Sequence, residues 1–138
     1  THLTWQGPVQ AKVGEIFTLQ PQIQSDQSIS NLPLSLSFDT KALQLIGVNE
    51  GGFLKQGNRK TNFTSRVDPN GSIFISTTLL GDGANTSNSN GSVMTINFKA
   101  ISTSETSTVQ ILSITPNNAN GQIVSTQLPT PFSIKILP

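Results

Sequence analysis

The sequence predicts an all-β fold, a jelly-roll β-sandwich of about nine strands. Apolar and polar residues alternate with a period of two in segment after segment, whereas no segment sustains the spacing of an amphipathic helix. Pairs of Gly, Pro and Asn separate these segments at short intervals. A chain of 138 residues is the size of one domain, so we expect residues 1–138 to form a single domain with one core.

The predicted strands follow one another along the whole chain. A first short strand contains Trp5, and the clearest strand covers residues 32–38, where every second residue is apolar. Residues 40–45 fit a single helical turn. The other alternating runs are residues 16–23, 62–68, 72–79, 93–100, 106–114 and 131–137. The strand positions whose side chains should face inward predict a core of Ile16, Leu34, Leu36, Phe38, Leu43, Ile73, Ile75, Met94, Ile96 and Phe98.

The segment Asp68-Pro69-Asn70-Gly71 separates two alternating runs. A proline followed by an Asn-Gly pair favours a tight chain reversal. Residues 62–79 are therefore predicted to form a β-hairpin.

Charge and composition exclude several classes of function. Only 11% of the residues are charged, the net charge is +1, and the densest basic stretch contains only Lys55, Arg59, Lys60 and Arg66. Nucleic-acid binding normally requires a clustered basic surface, so we expect no nucleic-acid partner. No apolar run approaches the roughly 18 to 20 residues of a spanning helix, so we expect no membrane insertion by this domain. The chain has no cysteine, which excludes disulfides and thiolate metal sites.

Catalytic chemistry finds little support in the sequence. The single histidine is His2, at the N-terminus, and the seven acidic residues are scattered along the chain. A nucleophilic Ser or Thr needs a neighbouring base, and glycoside hydrolysis needs two carboxylates that flank one bond. We expect no enzyme activity, no catalytic residue and no cofactor. The alternative is that two of the scattered carboxylates lie close together in the folded chain.

The segment 81–91 is rich in Asn and Ser and lacks large apolar residues. Its Asp82, Asn85, Asn88 and Asn90 offer oxygen ligands for calcium, but their spacing does not follow the EF-hand pattern. We expect an exposed, mobile loop and no metal site, with calcium binding as the alternative.

Sugar binding through a flat platform relies on exposed Trp and Tyr rings. This chain has one Trp and no Tyr, and Trp5 is expected to anchor the core or a sheet edge. Phe74 differs from the other phenylalanines, because Ile73 and Ile75 occupy the inward phase of its strand and leave its ring outward. An outward aromatic side chain is typical of a protein interface.

Several segments resemble the cohesin-type domain. They are Val13-Gly14-Glu15-Ile16-Phe17, residues 34–43, Val48-Asn49-Glu50-Gly51 with Phe53-Leu54, residues 71–75, residues 91–100 and Asn120-Gly121-Gln122-Ile123. Their order spans nearly the whole chain. The opening Trp5-Gln6-Gly7-Pro8 is most similar to cohesin-like domains of bacterial secretin and general secretion pathway proteins.

This resemblance implies a nine-stranded jelly roll that binds another protein. In cellulosome scaffolds, cohesins bind dockerin modules, which carry the calcium. The leading hypothesis is therefore a non-catalytic protein–protein interaction module of a bacterial envelope, secretion or adhesion protein. Its expected location is extracytoplasmic: periplasmic, outer-membrane-associated or at the cell surface. Its expected partner is a dockerin-like module or a secretion or envelope component, and the alternative is a carbohydrate-binding module with a polysaccharide ligand.

The resemblance also implies a binding face. In cohesins the third, fifth, sixth and eighth strands form the sheet that meets the partner, and we assign these strands to residues 32–39, 62–68, 72–79 and 92–100. Phe74 and Arg66 are the expected energetic anchors. The outward phases predict partner-binding residues Ser35, Ser37, Asp39, Arg66, Phe74, Ser76, Thr78, Asn97 and Lys99, together with Thr64 and Thr95.

Overall fold

The computed structural model describes residues 2–25, 29–53, 60–80, 89–118 and 120–138. These ranges contain eleven β-strands and no helix that is long and apolar enough to cross a membrane. The strands are β1 (His2–Gln6), β2 (Gln10–Lys12), β3 (Ile16–Ser25), β4 (Asn31–Phe38), β5 (Leu43–Glu50), β6 (Thr61–Val67), β7 (Ser72–Leu79), β8 (Ser89–Ser92), β9 (Met94–Ala100), β10 (Ser104–Ile114) and β11 (Phe132–Leu137).

The strands form two sheets. One has the order β1-β3-β9-β5, with β8 also paired to β3, and the other has the order β2-β11-β10-β4-β7-β6. All pairs are antiparallel except β2 with β11. The predicted all-β jelly-roll sandwich is confirmed, with more short strands than the nine expected.

The buried side chains of both sheets form one continuous cluster between them. Eight of the ten predicted core residues are buried: Leu34, Leu36, Leu43, Ile73, Ile75, Met94, Ile96 and Phe98. Phe38 is only partly buried, although its ring packs 5.1 Å from that of Phe98.

The prediction for Ile16 is wrong, because this side chain is 62% exposed. Two adjacent apolar residues begin β3, and a strand can bury only one of them. Phe17 is buried, with its ring 5.8 Å from Phe98, and Leu19 and Ile23 share its phase. Burial of the larger Phe17 side chain, together with Leu19 and Ile23 on the same side of the strand, therefore sets the register and leaves Ile16 exposed.

The hairpin predicted over residues 62–79 is confirmed. β6 and β7 pair along their whole length, and Asp68 N–H donates to Ser72 C=O at 2.9 Å. Gly71 has a φ of 93°, a value that glycine adopts at little cost.

The single helical turn expected at residues 40–45 is shorter than predicted. Residues 40–42 form a turn, and Leu43 begins β5, which pairs with β9. The N–H groups of Ala42 and Leu43 donate to the Asp39 carbonyl, which closes the turn. A register shift between Leu45 and Gly47 interrupts the two-residue period, and this irregularity hides the strand from periodicity analysis.

Candidate functional site

Most of the predicted site residues lie on the solvent-facing side of the six-stranded sheet, which we call the outer face. Strand register brings their side chains into rows across β6, β7 and β4. Arg66 pairs with Phe74, which pairs with Ser35, and Thr64 pairs with Ser76 in the next row. The predicted residues Ser35, Ser37, Arg66, Phe74, Ser76 and Thr78 share this face.

The structure does not bring Asn97 and Lys99 to the outer face. Both lie in β9, which belongs to the other sheet, and Thr95 lies there too. Asn97 accepts a hydrogen bond from Thr18 at 2.8 Å, and Lys99 is opposite Ile16. The assignment of residues 92–100 to the same sheet as residues 32–39, 62–68 and 72–79 is therefore wrong.

The strand beside β4 is β10 instead. It places Thr108 and Gln110 on the outer face, and Gln110 pairs with Ser37. Sequence reasoning missed these residues, although residues 106–114 were recognised as a strand. The alternation of apolar and polar residues predicts the strand β10, but it does not identify the strand that lies beside it.

Asp39 has a structural role at the end of β4. One carboxylate oxygen accepts the Lys41 N–H at 3.0 Å, and the other accepts the Ser107 hydroxyl at 3.2 Å. Its backbone carbonyl closes the turn before β5. These bonds fix the position of the Asp39 carboxylate at the end of β4.

The most distinctive feature of the outer face is the pair Arg66 and Phe74. The guanidinium carbon lies 4.5 Å from the centre of the Phe74 ring, and Arg66 Nε lies 3.5 Å from Asp68 Oδ1. Phe74 remains 37% exposed, and the Arg66 side chain is 69% exposed. Exposed contacts of these two kinds each contribute at most about 1 kcal/mol to stability. Their larger effect is to hold two long side chains in one arrangement before any partner arrives.

A β-bulge in β10 shapes the other end of the face. The register shifts between Ile111 and Ser113, so that both Leu112 and Ser113 are exposed. The hydroxyls of Ser113 and Ser35 are hydrogen-bonded at 2.7 Å. A shallow depression of about 230 Å³ lies here, and its lining residues are Pro33, Leu34, Ser35, Phe74, Ile75, Ser113 and Thr115.

Trp5 makes two contacts with the C-terminal part of the chain. Its indole N–H donates to the Thr130 carbonyl at 2.8 Å, and its ring lies 5.9 Å from that of Phe132. The prediction that Trp5 is a structural anchor is confirmed.

No group of three or more His, Asp or Glu side chains lies together in the part of the chain that the structure describes. Asp82 and Asn85, considered above as calcium ligands, lie outside that part, as does Asn88. The outer face presents Ser, Thr, Arg and Phe side chains as possible contacts for a partner.

Comparison with solved structures gives matches along almost the whole chain. A type II cohesin from Bacteroides cellulosolvens has a TM-score of 0.85, with 15% identity and 99% of each chain covered. The cohesin module of a family 33 glycoside hydrolase from Clostridium perfringens has a TM-score of 0.80, also with 15% identity, over 99% of this chain and 96% of that chain. At these identities the likeness establishes the fold.

A third match comes from a complex. It is a type II cohesin–X–dockerin complex from Acetivibrio cellulolyticus, with a TM-score of 0.81 and 15% identity over 98% of this chain and 97% of that chain. No curated protein matches the chain at a significant level. The family model of the cohesin domain matches residues 6–136, which is nearly the full length. The chain therefore belongs to the cohesin-domain family.

Proposed function

We propose that this protein is a non-catalytic module that binds another protein through the outer face of its six-stranded sheet. The observation that carries the proposal is the arrangement of Phe74 and Arg66, an exposed aromatic ring held under a guanidinium group on a mainly polar sheet face. Aromatic and arginine side chains are the commonest energetic anchors of protein interfaces. Ser35, Ser37, Ser76 and Thr78 of the same face have short hydroxyl side chains that would allow a partner to approach closely.

Family membership and the shape of the face support a proposal for the kind of partner. Some of the matched structures are complexes of cohesins with dockerins. We propose as partner a dockerin-like module or a component of a bacterial secretion system or envelope. The shallow depression beside Phe74 would receive one side chain of that partner. Polysaccharide is a weaker candidate ligand, because the single Trp of the chain is engaged in structural contacts.

The proposed setting is extracytoplasmic, at the cell surface or in the periplasm or attached to the outer membrane. It is supported by the resemblance of the opening residues 5–8 to secretion-associated cohesin-like domains. We also propose that residues 1–138 act as a single domain, since the buried residues of both sheets belong to one cluster.

The experiment is to capture a partner on the immobilised chain from secreted and envelope proteins of the source organism, and then to measure affinity with variants. Phe74→Ala and Arg66→Ala should each weaken binding by about fivefold or more, which corresponds to about 1 kcal/mol. Both side chains are exposed, so the melting temperature should change little.

Lys99→Ala is the matched control, because Lys99 lies on the opposite sheet and should leave the affinity unchanged. If Phe74→Ala and Arg66→Ala both bind as tightly as the unmodified chain, the outer face is not the binding surface. If Lys99→Ala alone weakens binding, the partner contacts the five-stranded sheet.

A further inference from the structure

The open edges of the two sheets differ in how well they are protected. An edge strand presents unpaired backbone groups, and proteins shield such edges with short strands, bulges or covering segments. β2 has three residues, β8 has four, and β5 carries a bulge. β1 is bridged at His2 to Gln127 and tied at Trp5 to Thr130. Among the edges formed by the described residues, β6 is neither short nor bulged nor tied down by a described segment, and its one charged side chain, Arg66, lies over the Phe74 ring.

β6 is a regular strand of seven residues at the end of the six-stranded sheet. It contains no proline, lysine or bulge. The N–H of Asp68 donates to Ser72, and the N–H of Leu80 donates to Lys60. Hydrogen-bonded positions alternate along an antiparallel pair, so the even-numbered residues bond to β7. The odd-numbered residues Thr61, Phe63, Ser65 and Val67 therefore point their backbone N–H and C=O groups away from the sheet.

We infer that β6 pairs antiparallel with β6 of a second copy of this chain, joining the two six-stranded sheets edge to edge. The register that engages all four outward-pointing residues has Thr64 on the two-fold axis. In this register Thr61 is opposite Val67 of the second copy, and Phe63 is opposite Ser65. The ladder would contain about eight backbone hydrogen bonds, two for each opposed pair.

The side chains are complementary in the same register. Lys60 comes opposite Asp68 of the second copy, and Arg66 comes opposite Asn62, so no like charges face each other. Val67 is 45% exposed and Phe63 only partly buried, and both project toward the core side of the sheet. Pairing would cover these two apolar side chains with the strand of the second copy. The opposite charges at both ends of the paired strands and the apolar contacts on the core side favour a second copy of this chain as the partner of the β6 edge.

The inference is independent of the proposed partner binding, because it concerns the purified chain alone. The chain has no cysteine, so a single introduced cysteine reports the register directly. Thr64→Cys would face its own counterpart as a non-hydrogen-bonded pair, with Cα atoms about 4.5 Å apart, which a disulfide can bridge. Under mild oxidation, Thr64→Cys should give mostly disulfide-linked dimer on a non-reducing gel.

Asn62→Cys is the matched control, because it lies on the same face and strand but about 13 Å from its counterpart in this register. It should remain monomeric on the gel, whereas the double variant Asn62→Cys with Arg66→Cys should cross-link. Equal cross-linking of Thr64→Cys and Asn62→Cys would mean random collision and would overturn the inference.

Sedimentation of the unmodified chain supplies a second measurement. The average mass should rise toward that of a dimer with increasing concentration. Ser65→Pro should abolish this rise, because proline removes an outward N–H that β7 does not use. A monomer at every concentration, together with no preferential cross-linking of Thr64→Cys, would show that the β6 edge does not self-associate.

Discussion

At the scale of single residues, the side chain of Thr77 lies on the buried side of β7. Thr77 is 4% exposed, and its hydroxyl has no hydrogen-bond partner among the described residues. Its side chain borders a small gap between the sheets, with Leu32, Gly51, Phe53 and Val93 around it. Among the residues that the structure describes, nothing compensates this hydroxyl for its lost contact with water, and such a loss is unfavourable.

Thr77→Val should raise the free energy of unfolding by about 1 kcal/mol, because a methyl group replaces the unpaired hydroxyl at nearly the same volume. Urea denaturation followed by circular dichroism measures the change. Thr78→Val is the control, since the Thr78 hydroxyl donates to Asn31 at 3.0 Å, and its loss should not stabilise the protein. Destabilisation by Thr77→Val would indicate that its hydroxyl is hydrogen-bonded in solution.

At the scale of elements, the β6–β7 hairpin positions the binding face. It carries both Arg66 and Phe74, and the turn at residues 68–71 fixes their cross-strand register. Gly71 also approaches the end of β4, where a Cβ atom would lie 2.7 Å from the Phe38 carbonyl oxygen. The hairpin is thus joined to β4 through backbone that has no room for a side chain.

Gly71→Ala should destabilise the protein more than Gly14→Ala. Both glycines have a positive φ, 93° and 94°, which costs alanine about 1 kcal/mol. Only Gly71 adds a steric clash, because nothing lies within 4 Å of a Cβ at Gly14. Thermal unfolding of the two variants separates the conformational cost from the clash. Equal melting temperatures would show that β4 shifts freely to accommodate the methyl group.

At the scale of the whole molecule, one continuous core holds the two sheets together. The described residues contain no cluster of three metal-ligating side chains. Stability should then rest on the apolar residues between the sheets and on the strand ladders.

We therefore expect the melting temperature to be the same with a chelator and with added calcium. Scanning calorimetry with EDTA and with millimolar calcium tests this expectation. A fall on chelation that calcium reverses would contradict it and would direct attention to Asp82 and its neighbours. Asp82→Ala would then be expected to remove the calcium effect.

Local patterning was enough to predict the all-β class, most strand positions and the phase of most side chains. Period-two alternation predicted that Leu36 and Ile96 would be buried and that Phe74 would be exposed. These properties depend on neighbours one and two positions away in the chain, because successive side chains of a strand point to opposite faces. The same reasoning failed at Ile16, where two apolar residues are adjacent, and at β5, where a bulge interrupts the period.

The tertiary structure decided which strands lie side by side, and with it the composition of the binding face. β9 and β10 both alternate, yet only β10 pairs with β4, so Gln110 joins Ser37 while Asn97 and Lys99 lie on the opposite sheet. Ladder hydrogen bonds use backbone groups that are the same in every residue except proline. The local sequence therefore does not indicate which of the two strands pairs with β4. The packing of all side chains into one core decides it.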